Sequence, residues 1–316
     1  MKKLMQWSSV AMVLAVIPFL VTSAVWAEED WTKSPWGPKD EIGNCNLLTA
    51  QKVLEAVSLI KTGKIYDLGT TYEDANPAFP PRFWKTLVLA HGAVNTLGKN
   101  KIMYLEEVFT GCPGAGTQLD GFAHISIDDT FYNGFKMKDV MGATAVKKFA
   151  IENVPPIFTR AVLIDMVAYK GRPLEKSEPI TSDDIKGFLA KHNLEIRPGD
   201  AVLINTGWMR FFRVDNAKYM SSEPGITIDA ARWLSSKKVV GVGTDQWATE
   251  VLPNNDDAAL AFPVHQELLA KSGIHLFQNL VLDKLAADKV YESAFVFTHP
   301  KIKGTTQGIG QPIAIK

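Results

Sequence analysis

Residue types capable of chemistry crowd into one stretch of this 316-residue chain, Thr110-Gly111-Cys112-Pro113-Gly114-Ala115-Gly116-Thr117-Gln118-Leu119-Asp120-Gly121-Phe122-Ala123-His124. It holds four glycines, a proline and a polar set spaced by two and four: Gln118, Asp120 and His124. If 118–120 is extended, its period of two puts the carboxamide and the carboxylate on one face. His124 can return to that face after a turn at Gly121. A carboxylate, a carboxamide and an imidazole meeting at one point make a metal or acid–base site. The same residues also suit a glycine-rich turn whose Asp and Gln satisfy backbone groups. Spacing alone leaves both readings open.

Other candidates lie elsewhere. Asp245 and Glu250 flank Trp247 just past an apolar strand, where polar residues either line active sites or cap loops. His91 follows Leu87-Val88-Leu89-Ala90 and reads as a strand-end residue. His275 alternates with Phe277 on a short apolar strand. His192 and His299 read as surface residues. Phe83, Trp84, Trp208, Phe211, Phe212 and Trp247 offer an aromatic wall for a flat substrate, or core packing. Gly-x-Ser-x-Gly is absent, so no serine triad is indicated.

These residues need a scaffold. Helices are expected from Ala50 to about Ile60 behind Thr49, from Ser182 to His192 behind Thr181, over Ala230 to Ser235 after Thr227, and from about Pro263 through His265 and Leu269. Strands are expected at Lys64 to Leu68, Ala161 to Met166, Ala201 to Thr206, Val239 to Gly243 and Ala294 to Thr298. The rhythm is not a strict βαβ alternation. It predicts an α/β domain with a mixed, partly barrel-like sheet rather than a doubly wound one. Gly308-Ile309-Gly310 lacks the third glycine of a dinucleotide loop and reads as a turn.

Residues 1–27 carry Lys2 and Lys3, an apolar run from Val10 to Val21 and a Val25-Trp26-Ala27 cleavage site, the pattern of a bacterial signal peptide. The expectation is an exported, periplasmic chain with one domain over residues 28–316. Hydrophobic residues are 46% and charged residues 22%, and the 34 basic side chains match the 34 acidic ones. Such a balance carries no electrostatic footprint for nucleic acid. Cys45 and Cys112 either pair or pack separately.

The stretch from Gly114 to His124 resembles the signature His-x-Gly-Thr-His-x-Asp-x-Pro-x-His of the cyclase family, the metal-dependent hydrolases that include kynurenine formamidase and isatin hydrolase. Gly116, Thr117, Asp120 and His124 match it. The resemblance extends through Trp36-Gly37, Asp40 to Gly43, Asn46 to Thr49, Thr159 to Asp165, Gly199 to Trp208, Gly243 to Asp245, Pro263 to His265 and Gln278 to Leu280. Phe131-Tyr132-Asn133-Gly134 is similar to a longer subgroup whose motif reads Gly-Thr-Gln.

This resemblance implies a swivelling β/β/α fold, assembled as homodimers or homotetramers. It implies metal-assisted hydrolysis of a small amide, formamide or lactam, arylformamidase-like, with Mn²⁺ or Zn²⁺ as cofactor. By the same implication Asp120 is a shared metal ligand, His265 the later ligand and His124 the general acid/base. Gln118 and Gln278 stand at further ligand positions, and the first histidine is replaced by Gly114. Thr117 is expected to orient the substrate carbonyl, with Trp84 and Trp247 as substrate-binding walls. The missing ligands leave a second expectation, a metal-free binding protein that kept the fold.

Overall fold

The computed structural model describes residues 30–90 and 96–316. The signal-peptide expectation and His91 lie outside these residues. A nine-stranded mixed sheet, curled into a half barrel, organises the chain. From edge to edge its strands are Ile65–Asp67, Ile313–Ile315, Glu292–Phe297, Ile157–Asp165, Ala201–Asn205, Gly241–Thr244, His275–Gln278, Gln118–Asp120 and Gln307–Ile309. The four from Ile157–Asp165 to His275–Gln278 run parallel. The pairs outside them are antiparallel.

The parallel strands are covered on both faces, which is why they read as nearly continuous apolar runs. Val162, Ile164, Val202, Ile204, Val242 and Leu276 pack on one face against Ile185 and Phe188 of helix Ser182–His192, Leu234 of helix Ile228–Ser236, and Leu268. Ala161, Leu163, Leu203, Phe277, Phe295 and Leu119 fill the other face. Two helix starts expected from the sequence are present with their caps. The Thr49 side chain accepts from Lys52 N, and Thr181 forms a reciprocal capping box with Asp184.

Three expectations need correction. The first helix stops at Val57 rather than Ile60. Gly308-Ile309-Gly310 is not a turn: Gln307–Ile309 is the edge strand of the main sheet, paired with Gln118–Asp120. His192 is wedged between the Phe188 and Tyr291 rings at 4.5 Å from each, rather than lying free on the surface. Both cysteines are free, Cys45 buried and Cys112 partly so. Burial, helped by Asp40, pushes the Cys45 thiol far up, so it acts as a small apolar side chain.

Candidate active site

Register builds the centre of the site. In the strand Gln118–Asp120, Leu119 turns into the core and its two neighbours turn to the opposite face. Gln278 lies directly across from Gln118 on one neighbouring strand, and Gln307 directly across from Asp120 on the other. The resulting network is buried and short. Asp120 Oδ1 accepts from Gln118 Nε2 at 3.0 Å and from Gln307 Nε2 at 2.7 Å. Gln118 Nε2 also donates to Gln278 Oε1 at 2.7 Å. Gln278 Nε2 reaches His265 Nε2 at 2.9 Å.

His265 is fixed from behind. Its Nδ1 lies 2.6 Å from Glu250 Oε1, and the Glu250 carboxylate also accepts from the backbone N–H groups of Val264 and His265 at 3.1 Å each. One carboxylate thus orients the ring and caps the turn Pro263–His265 that carries it. The carboxylate holds the proton on Nδ1 and leaves the Nε2 lone pair facing Gln278 and Asp120. That nitrogen is 3.8 Å from Asp120 Oδ2.

His124 completes the group. Its backbone N–H closes the turn on Gly121 O at 3.0 Å, and its ring centroid is 6.3 Å from that of His265. Burial pushes its pKa down; Asp120 opposes this, while His265 and Arg82 add to it. His124 is therefore a neutral imidazole at neutral pH, the form that accepts a proton.

Within this network two buried acceptors, Asp120 Oδ2 and Gln118 Oε1, lack a hydrogen-bond partner among the described residues. Buried polar atoms are rarely left so, and these two belong to adjacent same-face side chains. They are the two oxygens of the network left open to a further partner. No group of three or more His, Cys, Asp or Glu side chains converges to hold an ion among the described residues. A cation here would rely on one carboxylate oxygen, one amide oxygen and the His265 nitrogen. That set suits a hard or borderline ion retaining water better than zinc.

Asp120, Gln118, His124, His265 and Gln278, expected from five separated positions, are thus brought together. Thr117 is not free for substrate. Its hydroxyl donates to Asn279 O at 2.7 Å and accepts from Thr70 N at 2.8 Å, so it braces the strand. Trp247 stacks on Phe79 at 5.3 Å, and the neighbouring Phe262 ring is 5.4 Å from that of His265. Trp84 sits farther back: it packs on Tyr72, whose ring covers Gly116. Asp245 holds the Thr206 N–H and hydroxyl and is structural. His275 is fully buried, stacked on Phe122 at 4.4 Å with Nδ1 2.9 Å from Asp120 O, and burial pushes its pKa down to about 4.

Sequence reasoning missed Gln307, Tyr72 and Arg82. Arg82 follows a Pro80-Pro81 loop that carried no signal, yet its side chain fills the space above Gly114. A surface hollow of about 660 Å³, lined by residues such as Thr70, Tyr72, His299 and Gln311, contains none of the three site residues Asp120, His124 and His265.

No match is found among curated proteins. Among solved structures, the chain is similar to a crystal structure described as a novel cyclase. That likeness has 29% identity and a TM-score of 0.82, over 89% of this chain and 98% of the other. It shares its fold with isatin hydrolase A from Ralstonia solanacearum, at 21% identity and TM-score 0.61 over 85% and 98% of the two chains. A further structure, named a predicted metal-dependent hydrolase from Bacillus stearothermophilus, matches at 21% identity and TM-score 0.53 over 80% and 98%. The cyclase family model matches residues 66–251, more than half of the chain and most of the site just described, and the protein belongs to the cyclase family.

Proposed function

We propose that the protein is a metal-assisted hydrolase of a small amide, formamide or lactam. The observation that carries this reading is a neutral, half-buried imidazole, His124, beside His265 and the two unpartnered buried oxygens Asp120 Oδ2 and Gln118 Oε1. Those oxygens, with His265 Nε2, would hold a divalent ion, Mn²⁺ fitting the set better than Zn²⁺. When bound, such an ion polarises the substrate carbonyl and acidifies water.

The chain's own residues supply the proton path. His124 takes the proton from attacking water as the C–O bond forms. It returns that proton to the leaving nitrogen as the C–N bond breaks, giving a carboxylic acid and an amine. Glu250 keeps the lone pair of His265 aimed inward throughout. The Phe79, Trp247 and Phe262 rings offer a flat apolar wall beside His265.

Hydrolysis of N-formylkynurenine, isatin and simple lactones, measured with added Mn²⁺ and with Zn²⁺, tests this. His124→Ala should lower turnover by at least about 10²-fold with the melting curve unchanged. Turnover unaffected by that variant would remove His124 from the mechanism. A second reading, a metal-free binding protein, is favoured by the three glutamine amides that already occupy Asp120 Oδ1 and His265 Nε2. Binding of small aromatics with neither ion uptake nor turnover would support it. Periplasmic export and self-association into dimers or tetramers belong to the same proposal. Cell fractionation and light scattering check them.

A further inference from the structure

We propose that Arg82 is the specificity-determining residue of this site, a receptor for a carboxylate carried by a flat, largely apolar substrate. The inference rests on the hydrolase reading only in placing substrate at the same residues. Of the seven arginines in the chain, six lie within ion-pairing distance of a carboxylate: Arg160, Arg172, Arg197, Arg210, Arg213 and Arg232. Arg82 is the exception among the described residues. It is half-buried, yet no carboxylate or side-chain hydrogen-bond partner meets its guanidinium there. A half-buried guanidinium without a counter-charge is a ready anion site, because its planar fork matches a carboxylate with two parallel hydrogen bonds.

The chain makes room for this cation. A Cβ added to Gly114 would stand 2.8 Å from Arg82 Cζ and 2.9 Å from its Cδ. Gly114 has no positive φ, so space rather than backbone freedom explains the glycine. The position that would carry a first histidine ligand thus carries an arginine side chain from another loop. Its charge is felt at His124, where it favours the neutral imidazole.

The same loop supplies the apolar half of the recognition. Arg82 N–H donates to Phe79 O at 3.0 Å, and the Phe79 ring stacks on Trp247 and meets Phe262 edge-on. One short segment therefore contributes Phe79 to the ring cluster beside His265 and places a cation over Gly114. A planar ring bearing a carboxylate matches both.

The test is binding of 2-formamidobenzoate and of its neutral carboxamide, 2-formamidobenzamide, to the full chain in the His124→Ala background, where turnover is suppressed. Titration calorimetry should show the carboxylate bound at least about tenfold more tightly than the carboxamide. Arg82→Met should abolish that preference while leaving carboxamide affinity within about twofold, and Arg82→Lys should restore part of it. Gly114→Ala, which changes no charge, should weaken carboxylate binding by displacing the guanidinium. It should add little once Arg82→Met is present, because both changes remove one interaction. Equal affinity for the two compounds, no binding of either, an equal loss of both in Arg82→Met, or additive effects of the two substitutions would each overturn the assignment. The hydrolase reading fails separately: a His124-containing protein that binds with these preferences but turns over neither compound leaves Arg82 in place.

Discussion

Asp120 and Asp200 are both fully buried carboxylates, yet their surroundings are opposite in kind. Asp200, at the turn leading into Ala201–Asn205, receives Arg160 Nη1 at 2.8 Å, Lys52 Nζ at 2.5 Å and the backbone N–H of Arg197 at 2.8 Å. Burial raises the Asp200 carboxyl's pKa, and the two cations offset part of that. Through these bonds the first helix and two strands are tied together. Asp120 receives only neutral amide N–H groups, all on Oδ1, and its other oxygen is unpartnered. Asp200, which serves the fold, is fully matched within the chain. Asp120 keeps an open buried lone pair beside Gln118 and His265, where a further partner can be received.

Removing the matched carboxylate should have the largest effect on stability. Asp200→Ala leaves Arg160 and Lys52 buried beside an absent partner, and should cost about 3 to 5 kcal/mol in urea unfolding. A loss below about 1 kcal/mol would mean that Glu292 and Glu55 suffice for those cations, and that the contrast is false.

The next effect concerns His275, which packs on the backbone of Asp120. Its folded pKa is about 4, below the ordinary histidine value, so the unfolded chain binds more protons between these limits. Stability is therefore fully present above about pH 6.5 and falls as pH drops towards 4, by about 3 kcal/mol from this group. His275→Asn should flatten that part of the profile of melting temperature against pH. An unchanged slope would assign the acid sensitivity to other groups.

The smallest effect on stability is expected at Asp120 itself. Asp120→Asn retains an Oδ1 acceptor for Gln118 and Gln307 while discarding a buried charge, so unfolding free energy should change by less than about 1 kcal/mol. The proposed Mn²⁺ uptake, expected by calorimetry at about one ion per chain in the parent, should disappear. A variant that is badly destabilised, or that still takes up the ion, would erase the distinction between the two carboxylates.

Much of the scaffold was legible because its signals are local. Thr49 and Thr181 mark helix starts through side-chain caps that need only their own neighbours. The apolar runs at 161–166 and 201–206 became strands covered on both faces. Gln118 and Asp120 could be placed on one face from strand period alone. Gln307 could not be found, since an edge strand of three residues between glycines looks like a turn until it pairs. Thr117, expected to orient the substrate carbonyl, has its hydroxyl engaged by Asn279 O and Thr70 N, which only packing shows. Arg82 was invisible because an arginine in a proline-rich loop is ordinarily solvated.

The amino-acid order by itself determined the caps, the strand alternation, the tight glycine turn, and the presence of one carboxylate and two histidines able to handle protons. Tertiary structure alone decided that Gln307, 187 residues beyond Asp120, donates to its Oδ1, and that Arg82 rather than a side chain at 114 fills the adjoining space. The reason is physical. Backbone torsions and caps are set over a few residues, whereas sheet register and loop packing depend on which distant surfaces exclude water together.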